Sequence, residues 1–167
     1  MTSSWDPLIA EKQLSKNPRN WLCSNRIVRF GETDAAGVIH FHQLFRWCHE
    51  AWEESLEQYG LSLAEIFPRC NDSAEVPSIG LPIVHCEADF RRPIKTGFHL
   101  SVKLFPKKID DCSFHVQVKF LRESELLASG VIRHVCIDVE TSKRCLIPEG
   151  IERWIEASAV NSDVIPL

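Results

Sequence analysis

Asp34 lies in the run Phe30-Gly31-Glu32-Thr33-Asp34-Ala35-Ala36-Gly37-Val38-Ile39, between two glycines and a few residues ahead of a long amphipathic stretch. An aspartate beside glycine commonly accepts backbone N–H bonds in a turn. Ahead of a helix N-terminus the same carboxylate has a second use. The first N–H groups of a helix lack intrahelical partners and can polarise a carbonyl, toward which Asp34 would act as nucleophile or general base. Residue types alone leave both roles open.

Other groupings carry weaker chemistry. His40-x-His42, with His49 nearby, resembles a metal pair, yet no acidic or cysteine ligand stands at zinc-like spacing. A structural or solvent-facing role is expected, and no metal. His85-Cys86 could join a thiol to a base, but neighbours on a strand point to opposite faces. Glu50, Glu53 and Glu54 are helix-borne carboxylates, and Glu50 falls about half a turn from the apolar stripe, which predicts a solvated position. The absence of G-x-S-x-G, G-x-G-x-x-G and P-loop patterns disfavours serine-hydrolase, dinucleotide and NTPase chemistry.

The elements that would position Asp34 follow from periodicity. A strand is predicted over 24–30, then a helix over 44–59 ended by Gly60. Phe41, Phe45, Cys48, Trp52, Leu56 and Tyr59 form its stripe, with Arg46, Glu50, Glu53 and Glu57 opposite. Ser62 and Glu65 have capping-box spacing for a short helix over 63–67, and 68–78 reads as a loop. Period two then predicts strands near 79–91, 98–106, 113–122 and 126–138, with turns at 108–111 and 122–125, before a short helix through Trp154. One long helix followed by consecutive strands indicates α+β with an antiparallel sheet. Residues 1–22, with Trp5 and Trp21, read as an irregular arm, 23–158 as one domain and 159–167 as a tail.

At 167 residues the chain is long enough to bury a core without staples. Its net charge of -4 argues against nucleic acid as a partner. Seven cysteines, odd in number and never in a C-x-x-C pair, fall mostly within apolar patterns and suggest a reducing compartment. There is no signal-peptide core at the start and no run near the roughly 20 apolar residues that span a bilayer, so a cytoplasmic protein without membrane insertion is expected.

The run Phe30–Ile39, followed by a helix carrying Arg46-Trp47, resembles the signature of hotdog-fold acyl-CoA thioesterases of the 4-hydroxybenzoyl-CoA type, and Ile79-Gly80-Leu81-Pro82-Ile83-Val84 matches a further segment. The likeness covers roughly residues 24–140 and is strongest to a cyanobacterial branch acting on 1,4-dihydroxy-2-naphthoyl-CoA in phylloquinone (vitamin K1) synthesis. It implies a long helix wrapped by a five-stranded antiparallel sheet, an acyl-CoA substrate, no cofactor, and a homo-oligomer, dimeric or tetrameric, with sites between subunits. It places Asp34 on the catalytic carboxylate and Phe41 on the residue whose N–H binds the thioester oxygen. Gln43 stands where a relative has Asn. The family's basic run before a Ser-Phe pair is replaced here by Asp110-Asp111-Cys112. CoA phosphates are therefore expected on Lys107-Lys108, Arg91-Arg92 or Lys143-Arg144, and Trp47 is expected near the acyl group. Within thioester chemistry, a general short-chain or aromatic acyl-CoA thioesterase and a noncatalytic acyl-binding module remain the alternatives. A hotdog dehydratase is disfavoured by the placement of Asp34.

Overall fold

The computed structural model describes residues 17–67 and 76–159. In chain order these form α1 (Arg19–Leu22), β1 (Cys23–Ile27), a 3-10 turn (Phe30–Glu32), α2 (Phe41–Tyr59) and α3 (Leu63–Ile66). Then come β2 (Ile79–Gly80), β3 (Ile83–Phe90), β4 (His99–Asp110), β5 (Ser113–Arg122), β6 (Glu125–Val135), β7 (Ile137–Asp138) and α4 (Glu149–Ala159). Five strands make one antiparallel sheet in the order β1-β4-β5-β6-β3. With α2 laid against it, this is the α+β arrangement the sequence predicts.

The helix buries Leu44, Trp47, Cys48, Ala51, Trp52, Ser55, Leu56 and Tyr59, spaced alternately three and one apart along one face. The sheet answers with Phe114, Val116, Val118 and Phe120 of β5, which alternate inward. Contact is close enough to require a glycine. A Cβ on Gly130 of β6 would stand 2.6 Å from the Cys48 sulfur. Two indole N–H groups tie the ends of the chain to this core: Trp21 bonds Ser158 of α4, and Trp154 bonds Ser55 of α2, each at 3.0 Å. The end of the expected arm is thus docked by Trp21. Trp5 and the loop residues 68–75 lie outside the described residues.

Several boundaries differ from expectation for local reasons. The helix starts at Phe41, three residues early, and Phe41 is 66% exposed instead of joining the core stripe. The first strand ends at Ile27 and yields to the 3-10 turn. The strand expected over 79–91 is cut at Leu81-Pro82, where proline has no N–H to give a ladder. Its first part, β2, pairs with β7 in a separate two-stranded sheet, which also splits the strand expected over 126–138. The β4–β5 ladder runs on to Asp110↔Ser113, so the turn lies at Asp111-Cys112 rather than across 108–111. Ser62 caps α3 without its side chain; the Glu65 N–H goes to the Ser62 carbonyl. The terminal helix continues past Trp154 to Ala159.

Candidate active site

The loop between β1 and α2 is built around a buried carboxylate two residues from Asp34. Glu32 accepts bonds from Arg26 (2.9 Å), the Arg29 N–H (2.8 Å) and the Trp47 indole N–H (2.9 Å). Burial pushes its carboxyl up, but these three donors together outweigh burial and hold it below the usual range. Arg26 also bonds Glu50 at 2.7 Å and lies 4.6 Å over the Trp47 ring, while Arg46 bonds Glu50 at 2.6 Å. Glu50 is therefore half-buried in an ion-pair network, not a solvated carboxylate, because β1 brings Arg26 up to its face of the helix. Trp47, expected near the acyl group, is fully buried beneath this loop and braces it instead.

On that base stands the Asp34 turn. The Asp34 N–H donates to Val38 O (2.8 Å) and the Gly37 N–H to Asp34 O (3.0 Å), while Gly37 takes φ +75°, which favours glycine. Thr33 and Ile39 bridge across the turn, Val38 bridges to Lys95, and the Ile39 N–H bonds Ile94 O at 2.9 Å. The turn is thereby fastened to the segment joining β3 to β4. Asp34 Oδ1 accepts the Ala36 N–H at 2.8 Å. Oδ2 has no partner among the described residues, and the residue is exposed. The turn role thus occupies one oxygen, which fixes the side chain, and leaves the other uncommitted among the described residues.

The chain then enters α2 through His40, extended at φ -67°, ψ 135° and without a side-chain cap. The N–H groups of Phe41 and His42 have no acceptor among the described residues, as the first turn of a helix dictates. The Nδ1 atoms of His40 and His42 meet each other at 2.5 Å, and His42 Nε2 lies 3.3 Å from Gln43 Nε2. No group of three or more His, Cys, Asp or Glu suited to a metal occurs among the described residues. His49 turns to Glu53. His85 and Cys86 point to opposite faces, paired with Arg133 and Ile132. The most buried thiols are poor nucleophiles, since burial pushes Cys48 and Cys136 up to about 12.

The basic candidates separate by position. Lys107 and Lys108 fall on opposite faces of β4, and Lys108 is tied to Asp111 and Glu152. Arg92 bonds Glu125, and Arg144 bonds Asp110. Arg91 and Lys143 have no acidic partner among the described residues. Within one protomer, the Asp34 turn is fastened at residues 94–95, just before β4, whereas Lys107 lies eight residues beyond His99, roughly 27 Å along that strand at about 3.4 Å per residue. Arg91, and Lys95 opposite Val38, stand at the Asp34 end. The sequence reading missed Glu32, Arg26 and Lys95. Glu32 was legible as an acid three residues past Arg29, able to reach back to that backbone N–H.

Comparison with known proteins bears on this geometry. A 1,4-dihydroxy-2-naphthoyl-CoA hydrolase of Prochlorococcus marinus (strain MIT 9303) is 58% identical over 144 residues, covering 86% of this chain and 95% of its own. The crystal structure of a 1,4-dihydroxy-2-naphthoyl-CoA thioesterase from Synechocystis superposes with a TM-score of 0.71 at 29% identity, over 80% of this chain and 94% of that one. A gentisyl-coenzyme A thioesterase superposes with a TM-score of 0.65 at 25% identity, over 78% and 98%. Residues 28–155 match the thioesterase-like superfamily, a span that takes in the Glu32 base, the Asp34 turn, the start of α2 and four of the five strands of the main sheet, all but β1. By sequence and by fold, the chain belongs to the hotdog-fold thioesterases of that superfamily.

Proposed function

We propose that this protein hydrolyses 1,4-dihydroxy-2-naphthoyl-CoA to 1,4-dihydroxy-2-naphthoate and CoA. One observation carries the catalytic part: a fixed carboxylate with an uncommitted oxygen stands just ahead of a 19-residue helix whose first N–H groups are unclaimed. The thioester oxygen rests on the Phe41 N–H, where the helix dipole and the donors favour the charge that develops on it. Asp34 supplies the oxygen nucleophile, either by direct attack to form a mixed anhydride or by taking a proton from water. In either route the C–S bond breaks and CoA leaves as thiolate and takes up a proton. By direct attack an Asp34 oxygen bonds to the acyl carbon, and water then opens the anhydride at the Asp34 carboxyl carbon. The first product then keeps the Asp34 oxygen, and Asp34 takes its replacement from water; by the general-base route the water oxygen goes to the product. Single turnover in oxygen-18 water separates the two, an unlabelled first product marking direct attack. No cofactor enters the reaction.

The acyl group is drawn from the relatives. A dihydroxynaphthoyl and a gentisyl ester share one pattern, a hydroxyl ortho to the thioester carbonyl and a second hydroxyl para to the first. Phylloquinone synthesis and a cytoplasmic setting follow from the dihydroxynaphthoyl assignment. CoA phosphates fall to Arg91, with Lys95 on the same rim. The outer edge of β3 supports a homo-oligomer: Ile83, Val84 and Phe90 are 41%, 56% and 49% exposed along a strand with one open side. Light scattering that finds an active monomer would remove that part.

The test is thiol release from a panel of acyl-CoA esters by wild type and Asp34→Asn. The dihydroxynaphthoyl ester is expected to give the highest kcat/KM and palmitoyl a very low one. Asp34→Asn is expected to cost at least about 10²-fold. Near-normal turnover by a folded Asp34→Asn protein would end the assignment of Asp34. An absence of thiol release from every ester would favour an acyl-binding module.

A further inference from the structure

Two imidazoles and an amide form a hydrogen-bonded row across the first turn of α2. With the Gln43 amide nitrogen turned to His42 Nε2, the orientation that leaves Gln43 Oε1 buried without a partner among the described residues, His42 Nε2 accepts from Gln43 and the His42 proton sits on Nδ1. That proton is given to His40 Nδ1, 2.5 Å away. His40 is left with its own proton on Nε2. This last nitrogen has no partner among the described residues and is not among the buried polar atoms. His40 is also held by its backbone, whose N–H bonds Glu32 O at 2.9 Å, and by its ring, centred 4.8 Å from that of Phe41. In that orientation of the amide the row ends in one accessible donor, in the residue directly before Phe41.

The chemistry of the proposed substrate meets that donor. In an ortho-hydroxy thioester the O–H turns to the carbonyl oxygen, so the two oxygens lie about one hydrogen bond apart, roughly 2.6 Å. A carbonyl oxygen on the Phe41 N–H brings the hydroxyl oxygen alongside His40. We propose that His40, fixed by His42 and Gln43, is the specificity-determining residue for that hydroxyl. Its Nε2–H donates to the hydroxyl oxygen and leaves the hydroxyl's own proton on the carbonyl, where it aids attack. This inference rests on the assignment of Asp34 and Phe41 above and deepens it.

The experiment compares kcat/KM for 1,4-dihydroxy-2-naphthoyl-CoA with that for 4-hydroxy-2-naphthoyl-CoA, which lacks only the ortho hydroxyl. Full-length wild type is expected to favour the first by at least about tenfold, the scale of one hydrogen bond whose loss leaves a donor unpaired. In His40→Phe that ratio is expected to fall to within about threefold of unity. His40→Gln, whose amide can donate from a similar place, is expected to restore most of it. His42→Phe, which removes only the support, lowers it in the same direction and stands in should His40→Phe fail to fold. A wild-type ratio near one, or a ratio unchanged in folded His40→Phe and His42→Phe, overturns the proposal while hydrolysis itself stands. If wild type hydrolyses neither ester, the functional assignment fails instead.

Discussion

Glu32→Gln tests whether the Asp34 turn rests on a buried ion pair. In the wild type one Glu32 oxygen takes Arg26 and Trp47, and the other takes the Arg29 N–H at 2.8 Å. An amide has only one accepting end. It keeps the two-donor side, so its NH2 faces the Arg29 N–H and one bond is lost with a donor left unpaired. The charge opposite Arg26 is lost too, although Glu50 still holds that guanidinium. A hydrogen bond involving a charged group contributes about 1.5–3 kcal/mol, and the Arg26 side chain is 22% exposed, which discounts the charge loss. The expected cost is about 2–3 kcal/mol in urea unfolding at neutral pH, with native circular dichroism retained. The pH dependence has a fixed sign. The native carboxyl is held below its ordinary 4.5, so its contribution is complete above that value and fades as the pH falls further. The gap between wild type and Glu32→Gln should therefore narrow in acid. A loss under about 0.5 kcal/mol, or a gap constant through pH 4, would refute the reasoning.

Two further outcomes are expected. Arg91→Ala with Lys95→Ala should raise KM for the CoA ester about tenfold with little change in kcat, whereas Lys107→Ala should leave KM near wild type; steady-state kinetics giving the reverse order would move the phosphates to the far end of β4. His134 is fully buried, and burial pushes it down to about 4 against 6.5 for an ordinary histidine. The unfolded chain then binds the extra proton first, so stability should fall by about 3 kcal/mol as pH drops from 6.5 to 4. Urea unfolding of His134→Phe should lack that part of the slope, and an identical slope would refute the assignment.

Much of the fold was legible because period-two and helical spacings persist over long stretches. Cys48, Trp52, Leu56 and Tyr59 of the predicted stripe are buried, and β5 spans the 113–122 that alternation predicts, whereas Phe45 is half-buried and Phe41 exposed. Elements set by tertiary pairing were not legible. Nothing local says that Ile79-Gly80 leaves the main sheet to meet Ile137-Asp138, since either pairing uses the same alternation. The cysteines show the same limit. The Cys136 N–H bonds Cys112 O at 2.8 Å, and the Cys145 N–H bonds Cys136 O at 3.0 Å, so three cysteines scattered in sequence are joined through their backbones. Only register brings them together.

At the site the difficulty was one of environment rather than position. Glu32 and Asp34 are acids two residues apart in one loop, and composition cannot rank them. Their surroundings do. Glu32 spends both oxygens on three donors and is closed off from solvent, so a substrate cannot reach it without breaking the loop's foundation. Asp34 spends one oxygen on Ala36 and keeps the other. Exchanging the two roles would require Arg26 and Trp47 to reach Asp34, but Arg26 is set by β1 and Trp47 by the buried face of α2. The division of labour is thus fixed by elements on either side of the motif. The His40–His42 pair illustrates the same point: the spacing reads as metal-binding or surface, until the first turn of α2 starts early enough to bring the two rings together.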